Sequence, residues 1–505
     1  MNYSILFKDK ETKLNIKMPS FFTDLKLDQI KDALYYSDAD KYLVPYFYTA
    51  LNNLEDIKYR QEVFKEFSNK EIYQKIKQFF IRLLTIYNAY IENKEANDNY
   101  SNKSRRLKIM NEYIKIVNDI NSYLSNVNFN SLALNRMKDW FNDYINGKEF
   151  KSFVLRIDEV KKILDGIKFT FILKGNEIFV DETHDNDKDF SIKINEITSV
   201  FTYERHNHIP DANFEPTPTV DEEIYAKLSK LYKKEFIKII EFFDSNKEFY
   251  SLELLKIVKE IRFYFTYIQL MDKISNDNLR FSIPEVSLDY DEISTESYDL
   301  ALAIKFNFEK RIVVTNSYEL KGNERMIILT GPNQGGKTTF SRQLGQIHYL
   351  ARLGVPIQGI NNKIHLIDNI YTSYKTEENI DTLDGKLKIE LNAVKEILDK
   401  SSSNSLILFN EIFASTTKVD GEDISNLILD KINNIGCICL FVTFLTELSK
   451  RNDVTVLSSN VDPNNNELRT YKITRTLLLG SAYPSSIQAK YGLTYDKIRR
   501  DLDEN

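Results

Sequence analysis

The chain has 505 residues, a length too great for a single hydrophobic core, so two to four domains are expected. Hydrophobic residues make up 42% of it and charged residues 28%, a balance typical of globular folding. The formal net charge of −6 excludes a protein that is basic throughout, although it leaves room for a local basic groove that binds nucleic acid.

Neither the cysteines nor the apolar segments indicate an oxidising compartment or a membrane. Cys437 and Cys439 lie two positions apart in one apolar run and provide no disulfide or metal framework. The first residues contain no apolar stretch of signal-peptide length. The longest apolar run, Cys437 to Leu445, is far shorter than the roughly 20 residues of a membrane span. We expect a cytoplasmic protein without membrane contact.

Helical patterns fill the chain as far as about Leu164. Apolar residues recur at three- and four-residue spacing in DLKLDQIKDALYY and in NKEIYQKIKQFFIRLLTIYNAYI. We therefore predict a helical domain over residues 1–100 and long helices from Ser101 onwards.

The spacing of apolar residues then changes to that of strands. Residues 166–182, GIKFTFILKGNEIFVDE, predict two strands joined by a turn at Lys174-Gly175-Asn176, and residues 190–201 can add a third. Residues 206–220 hold three of the ten prolines and are expected to be a loop or linker. Helical patterns return over residues 221–277. Residues 101–280 thus predict helices that run out to a β-containing tip near residues 166–215 and back.

From about Phe281, short apolar runs alternate with helical patterns. The runs RMIILT, SLILF, CICLFVT, TVLSSNV and RTYKITR are separated by longer amphipathic segments. Continuous apolar strands that alternate with helices indicate an α/β domain with a largely parallel sheet. We assign this domain to residues 281–480.

A glycine-rich loop directly follows the first of these runs. Residues 331–338 read GPNQGGKT between a predicted strand and a predicted helix, the setting that a phosphate-binding loop requires. Glycines let backbone N–H groups turn inward around phosphates, and the helix N-terminus adds partial positive charge. We predict that Lys337 reaches the β- and γ-phosphates and that the Thr338 hydroxyl binds Mg²⁺; the alternative is a glycine turn without a ligand. The predicted ATP-binding residues are Gly331, Pro332, Asn333, Gln334, Gly335, Gly336, Lys337, Thr338 and Thr339.

A carboxylate suited to hydrolysis follows another predicted strand. The run from Ser405 to Phe409 ends in Asn410-Glu411, and Glu411 is the predicted catalytic residue, placed to orient or deprotonate a water. Asn410 occupies the usual position of a metal-binding Asp; its carbonyl can hold a metal-bound water, but it brings no charge. A strand-end turn without a catalytic role is the alternative interpretation.

Several segments resemble the MutS family. GPNQGGKTTFSRQ resembles the family's TGPNxGGKST loop with the Arg-Gln pair of its helix, and Gly354-Val355-Pro356 resembles the family's Gly-x-x-Val-Pro turn. NEIFASTTKVDG, residues 410–421, resembles DEIGRGTSTxDG, and FVTFLTEL, residues 441–448, resembles FATHxxEL. The likeness covers about residues 327–498. Shorter likenesses to the family core stand before it, at residues 57–67 and 261–275.

The resemblance implies a fold, cofactors and partners. The fold would be a helical core (1–100), lever helices with a clamp tip (101–280), an ABC-type P-loop ATPase domain (281–480) and a C-terminal helical dimerisation segment (481–505). ATP and Mg²⁺ would be bound by a homodimer that pairs its ATPase domains. The implied function is an ATP-gated clamp or sensor for branched or distorted DNA, in DNA mismatch repair or a related DNA-processing pathway.

Three positions depart from the family pattern. Asn410 replaces the metal-binding Asp, and Phe444 replaces the H-loop His that senses the γ-phosphate. Gly385 replaces the signature Ser that reaches across the dimer, although Glu390 keeps the family Glu. We expect sound nucleotide binding with slow hydrolysis. Because the chain begins close to the family core, without the N-terminal mismatch-reading domain, we do not expect single mismatches to be recognised.

Two groups of basic residues are candidates for contacts with a DNA backbone. A solvated surface is the alternative for both groups, and it is the interpretation we favour. The candidates are Lys103, Arg105, Arg106 and Lys108 in one run, and Lys168 and Lys174 on the predicted hairpin.

A second function, from a different class, is also open. Nucleotide binding could set the conformation of a dimer for a protein partner, with a nearly inactive ATPase. The overall acidity and the three altered positions favour this protein-interaction module, whereas the outgoing and returning helices favour the DNA clamp.

Overall fold

The computed structural model describes residues 3–8, 13–174, 177–183, 219–374, 385–414, 416–462 and 465–476. The chain forms two compact units, which we call the helical unit (Met1–Ser4 and Asn69–Lys259) and the sheet unit (Ile5–Ser68 and Glu260–Asn505). The division therefore falls at residue 68 and not at residue 100, because residues 5–68 pack with the C-terminal part of the chain.

Helices dominate the first half of the chain. Three of them precede residue 69: α1 (Leu27–Leu34), α2 (Val44–Tyr48) and α3 (Leu54–Phe67). Four more follow: α4 (Lys70–Glu95), α5 (Tyr100–Asn126), α6 (Leu132–Asn146) and α7 (Lys148–Gly166). The side-chain oxygens of Asn69, Asn99 and Ser131 accept hydrogen bonds from first-turn N–H groups of α4, α5 and α6, which fixes where these helices begin.

A β-hairpin separates these helices from the next set. Strand β1 (Phe169–Lys174) pairs antiparallel with β2 (Glu177–Glu182), from Phe169 opposite Glu182 to Lys174 opposite Glu177. The two strands predicted around Lys174 are confirmed. The strand predicted at residues 190–201 and the loop predicted at residues 206–220 lie outside the described residues.

Helices return as predicted, in α8 (Thr219–Leu231), α9 (Lys233–Ser245) and α10 (Leu252–Ile274). Among the described residues, no helix has the length and apolar character needed to cross a membrane.

Strands and helices alternate in the remainder of the chain. The first part contains β3 (Phe281–Ser282), β4 (Glu285–Ser287), β5 (Glu292–Ser297), α11 (Leu300–Glu309), β6 (Asn316–Leu320), β7 (Met326–Thr330) and α12 (Lys337–Arg352). The second part contains β8 (Ile357–Gln358), β9 (Asn361–His365), β10 (Ile370–Tyr374), α13 (Lys386–Lys400), β11 (Leu406–Asn410), α14 (Lys418–Ile435), β12 (Ile438–Val442), β13 (Val454–Asp462) and β14 (Asn465–Arg475).

The main sheet has six strands in the order β10-β11-β12-β7-β13-β14. All neighbouring pairs are parallel except β13 and β14, which form an antiparallel hairpin. Every residue of β7, β11 and β12 is buried, which explains why these strands read as continuous apolar runs. The predicted largely parallel sheet is confirmed. Cys437 and Cys439 lie in its hydrophobic core.

Residues 5–68 belong to the sheet unit because they bind the helix α12. The Gln346 side chain donates to the carbonyl of Leu25 at 2.9 Å, and the Tyr349 hydroxyl donates to the carbonyl of Phe47. The fully buried Arg60 donates to the carbonyls of Leu6 at 2.9 Å and Leu353 at 3.0 Å. A buried guanidinium needs such acceptors, so these contacts tie the N-terminal segment to the end of α12.

Candidate nucleotide-binding site

The candidate site lies at the carboxyl edge of the main sheet, in the loop that connects β7 to α12. Gly331 follows β7 with a φ of +122°, and Gly336 precedes α12 with a φ of +91°. Side chains are strongly disfavoured at both values. At Gly331 a Cβ would also lie 2.2 Å from the Ser459 Oγ. The loop therefore needs glycine at these two positions, as the motif predicts.

Lys337 is held inside this loop. Its Nζ donates to the carbonyl of Gly331 at 3.1 Å and to that of Pro332 at 3.0 Å, and the residue is 4% exposed. Desolvation lowers the pKa of Lys337, although the charge of Glu411 acts in the opposite direction. Within the described part of the chain, the hydrogen bonds of this buried ammonium go to neutral carbonyls, an environment that favours an anion nearby.

The two predicted metal-binding residues are neighbours. The Thr338 hydroxyl, in the first turn of α12, donates to the Asn410 Oδ1 at 3.2 Å. Asn410 is the last residue of β11 and is buried. Oxygen atoms of this kind suit Mg²⁺, but both are neutral, so they would hold the ion less strongly than a carboxylate.

Glu411 begins a tight turn directly after β11. Its N–H donates to the carbonyl of Val442 at 2.9 Å, and both Glu411 and Phe413 adopt left-handed backbone angles, with φ of +56° and +60°. Such angles at non-glycine residues are strained and persist only where their surroundings hold them. The carboxylate of Glu390 accepts a hydrogen bond from the Phe413 N–H at 2.9 Å. Glu390 thus supports, within the same chain, the turn that carries the candidate catalytic Glu411.

The structure shows the surroundings of two residues that depart from the family pattern, Phe444 and Gly385. The Phe444 ring lies 4.3 Å from the Lys337 Nζ, so it contacts the lysine of the loop although it cannot donate a hydrogen bond. Gly385 is the N-cap residue of α13, as expected of a helix start. A Cβ added at Gly385 would meet no atom within 4 Å in the described part of the chain, so packing against those residues does not require glycine there.

ATP with Mg²⁺ fits these residues. Lys337 supplies a cation, the uncapped first turn of α12 supplies backbone N–H donors, and Thr338 and Asn410 supply oxygen atoms. Glu411 supplies a carboxylate close enough to influence the pKa of Lys337.

The hairpin β13–β14 brings three residues to the loop that the sequence analysis did not identify. The Ser459 hydroxyl lies between the positions that side chains at Gly331 and Gly335 would take, and it has no hydrogen-bond partner among the described residues. Arg469 donates from Nε to the carbonyl of Asn333 at 3.1 Å, and Tyr471 packs against Gly336. The sequence analysis identified TVLSSNV and RTYKITR as apolar runs. Neither run contains a pattern that predicts their pairing with each other or their position beside the loop.

The first group of candidate DNA-binding residues is not a single surface. Lys103 and Arg106 are buried, so the solvated-surface interpretation is wrong for these two residues. Both fill a polar cluster: Lys103 pairs with Asp98 at 2.8 Å, and Arg106 donates to the Asn93 amide oxygen at 2.8 Å.

The other candidates differ in their surroundings. Arg105 pairs with Glu92 at 3.0 Å, whereas Lys108 and Lys168 are exposed. The Lys174 side chain lies outside the described part of the structure.

The sequence is similar to known proteins of one family. Residues 327–498 match the family MutS domain V. A stretch of 142 residues is 34% identical to the DNA mismatch repair protein MutS of Thermosipho melanesiensis, over 28% of this chain and 17% of that protein. A stretch of 214 residues is 31% identical to the endonuclease MutS2 of Staphylococcus carnosus, over 41% of this chain and 27% of that protein.

A longer stretch of 256 residues is 28% identical to the DNA mismatch repair protein MutS of Thermotoga petrophila, over 49% of this chain and 31% of that protein. The chain thus spans less than a third of the length of each of these relatives.

Proposed function

We propose that this chain, which belongs to the MutS family, binds ATP with Mg²⁺ at residues 331–339 and uses the nucleotide to control its binding of branched or otherwise distorted DNA. The observation that carries the proposal is the meeting of Lys337, Thr338 and Asn410 at one loop, with the Thr338 hydroxyl 3.2 Å from the Asn410 amide oxygen. These three side chains come from the loop and from a separate strand, so their meeting is a property of the fold.

Each residue has a chemical role in this proposal. Lys337 and the N–H groups at the start of α12 bind phosphate oxygens, and Thr338 with Asn410 would hold Mg²⁺. The bound ion would neutralise phosphate charge. Glu411 orients or deprotonates the attacking water. Phe444 offers no proton donor to the phosphate, so hydrolysis is slow while binding is retained.

The proposed active form is a homodimer of ATPase domains. In such a dimer the segment from Gly385 to Glu390 would face the neighbour's nucleotide, and a backbone N–H at the start of α13 can serve where a serine hydroxyl is lacking. The segment proposed to assist dimerisation, residues 481–505, lies outside the described residues. Light scattering at micromolar concentration with ATP and Mg²⁺ tests this point, and a monomer under these conditions would contradict it.

The DNA-binding part of the proposal has support from surface charge and from the relatives named above, two of which are DNA mismatch repair proteins. The helical unit presents exposed lysines along α8 and α9, in addition to Lys168 on the hairpin side. These lysines are Lys227, Lys230, Lys233, Lys234 and Lys238. Exposed lysines suit a phosphate backbone, which they would bind without reading its sequence.

Electrophoretic mobility shifts with branched, mismatched and plain duplex DNA test the function, with and without ATP. The proposal predicts tighter binding to branched DNA than to plain duplex and a change of that affinity on addition of ATP. A clear preference for a single mispaired base would contradict the proposed structure selectivity. No binding to any of the three would favour the second candidate function.

The second candidate is a nucleotide-dependent protein-interaction module with a nearly inactive ATPase. Phe444, which has no hydrogen-bond donor, and the neutral Asn410 favour it, because groups that would drive hydrolysis are missing at both positions. Phosphate release at saturating ATP discriminates the candidates. A rate equal to that of Glu411→Ala supports the module, whereas a clearly higher rate supports the ATPase.

A further inference from the structure

The β13–β14 hairpin forms one wall of the phosphate-binding loop. Strand β13 pairs in parallel with β7, so the hairpin reaches the same edge of the sheet as the loop that follows β7. Ser459 lies against the glycines of the loop, and Tyr471 lies against Gly336. Because β13 is paired with β7, a hairpin side chain that points towards the loop has a fixed position relative to β7.

Arg469, on β14, is a cation of this wall that contacts the loop. Its Nε donates to the carbonyl of Asn333, inside the loop, at 3.1 Å. Lys337 donates to two other carbonyls of the same loop, those of Gly331 at 3.1 Å and Pro332 at 3.0 Å. Two cations at one small loop repel each other, and an anion bound between them would remove that cost.

We infer that Arg469 is a second phosphate-binding cation of the nucleotide site, contributed by the same chain from β14. The inference rests on the proposed binding of ATP at the loop and adds a residue to that site. A guanidinium is suited to this task because its planar set of donors can bind two phosphate oxygens while another N–H stays on a protein carbonyl.

The charges around the loop explain why a second cation is useful here. Among the described residues, Lys337 and Arg469 bring positive charge to the loop and Glu411 brings negative charge, whereas Asn410 is neutral. A carboxylate at position 410 would attract Mg²⁺ and leave most of the phosphate charge to the ion. With Asn410 that attraction is weaker, so the protein's own cations must carry more of the neutralisation. Nucleotide binding should then depend less on Mg²⁺ and more on Arg469.

Nucleotide titrations of the full chain test this inference. The affinities for ATP and ADP are measured by calorimetry, with Mg²⁺ and with EDTA, for the wild type and for Arg469→Gln, Arg469→Ala and Arg469→Lys. Arg469→Gln is the decisive variant, because its amide can still donate to the Asn333 carbonyl while the charge is lost. Arg475→Ala is the matched control, since Arg475 lies on the same strand and pairs with Glu324.

The expected result is a loss of ATP affinity of roughly tenfold or more in Arg469→Gln, the size typical of a lost charge-assisted hydrogen bond. The loss should persist in EDTA and be smaller for ADP. Arg469→Lys should recover part of it, and Arg475→Ala should match the wild type. Thermal unfolding midpoints equal to that of the wild type exclude a general loss of folding.

Two outcomes would overturn the inference in different ways. If Lys337→Ala loses ATP binding while Arg469→Gln and Arg469→Ala keep wild-type affinity, Arg469 does not bind phosphate, and the proposed function stands. If Lys337→Ala itself binds ATP like the wild type, the loop is not the nucleotide site, and the inference fails together with the proposed function.

Discussion

The Nζ of Lys337 lies 4.3 Å from the centroid of the Phe444 ring. An aromatic ring at this distance attracts an ammonium by roughly 0.5–2 kcal/mol, depending on how far the pair is removed from water. Phe444 therefore helps to hold the lysine of the loop, whereas the His that the family has at this position could donate a hydrogen bond to a phosphate oxygen. Under the proposed function, Phe444 keeps a contact with the phosphate-binding lysine and lacks the hydrogen-bond donor that would assist hydrolysis.

Replacing Phe444 with His should accelerate hydrolysis. The imidazole restores a donor for the phosphate, and single preorganised donors of this kind contribute about 2.7–4 kcal/mol to catalysis at the upper end. We expect steady-state phosphate release at saturating ATP to rise about tenfold or more. Phe444→Leu is the control, since it removes the ring without adding a donor. An unchanged rate in Phe444→His would mean that position 444 does not limit turnover.

Replacing Asn410 with Asp should strengthen the dependence of nucleotide binding on Mg²⁺. A carboxylate beside the Thr338 hydroxyl binds the ion through charge as well as through an oxygen atom. The Mg²⁺ concentration that gives half-maximal ATP binding should fall several-fold, which a titration with fluorescent ATP at fixed nucleotide measures. If that concentration is the same in both proteins, Asn410 does not lie on the metal.

Neutralising lysines of α8 and α9 should weaken DNA binding in a salt-dependent way. Each phosphate contact contributes roughly 0.9 to the slope of log affinity against log salt. The triple variant of Lys230, Lys233 and Lys234 to Ala should therefore lower that slope by up to about 3. Lys305, Lys310 and Lys321, exposed in the sheet unit, supply a control of equal charge. Equal slopes for the two triple variants would remove these helices from the DNA interface.

A buried ion pair between α12 and β5, His348 with Glu292, should make stability depend on pH. Both ring nitrogens of His348 face oxygen atoms, the carbonyl of Leu344 at 2.9 Å and the Glu292 carboxylate at 2.8 Å, so each N–H of the protonated ring has an acceptor. Desolvation disfavours that charge, but the charge and hydrogen bond of Glu292 outweigh it and raise the pKa of His348. A raised pKa in the folded state stabilises the protein fully below the unfolded value of about 6.5, and the contribution is lost as the pH rises through the folded value.

His348→Gln should therefore destabilise the protein most at low pH. Breaking a buried pair costs roughly 3–5 kcal/mol, and the difference in thermal unfolding midpoint between wild type and variant should shrink as the pH rises from 6 towards 9. A difference that stays constant over this range would show that His348 keeps one protonation state throughout.

The sequence was informative where one short segment carries its own signal. Residues 331–338 predict a strand-loop-helix unit because glycine, lysine and threonine stand at the spacing that a phosphate-binding loop requires. The hairpin around Lys174 and the buried strands ending at Thr330 and Asn410 also follow from local patterns. Burial on one or both faces of a strand requires apolar residues, and their spacing can be read from the sequence.

Contacts between distant segments produce no such pattern in the sequence. Ser459 and Arg469 reach the loop only because β13 lies beside β7, and pairing between strands more than a hundred residues apart cannot be derived from either one. Arg60, 293 residues from its acceptor Leu353, is another example. Lys103 and Arg106 read as a solvated basic run, yet they are buried, because their partners Asp98 and Asn93 fold back from the preceding turn and helix.

Calorimetric titration of ATP with Mg²⁺ into the wild type and Lys337→Ala tests the central claim most directly. The account predicts saturable binding to the wild type and a loss of about 1.5–3 kcal/mol in the variant, because a charge-assisted contact with phosphate is removed. Matching unfolding midpoints would show that both proteins are folded. Equal affinity of the two folded proteins for ATP would contradict the assignment of residues 331–339 as the nucleotide site.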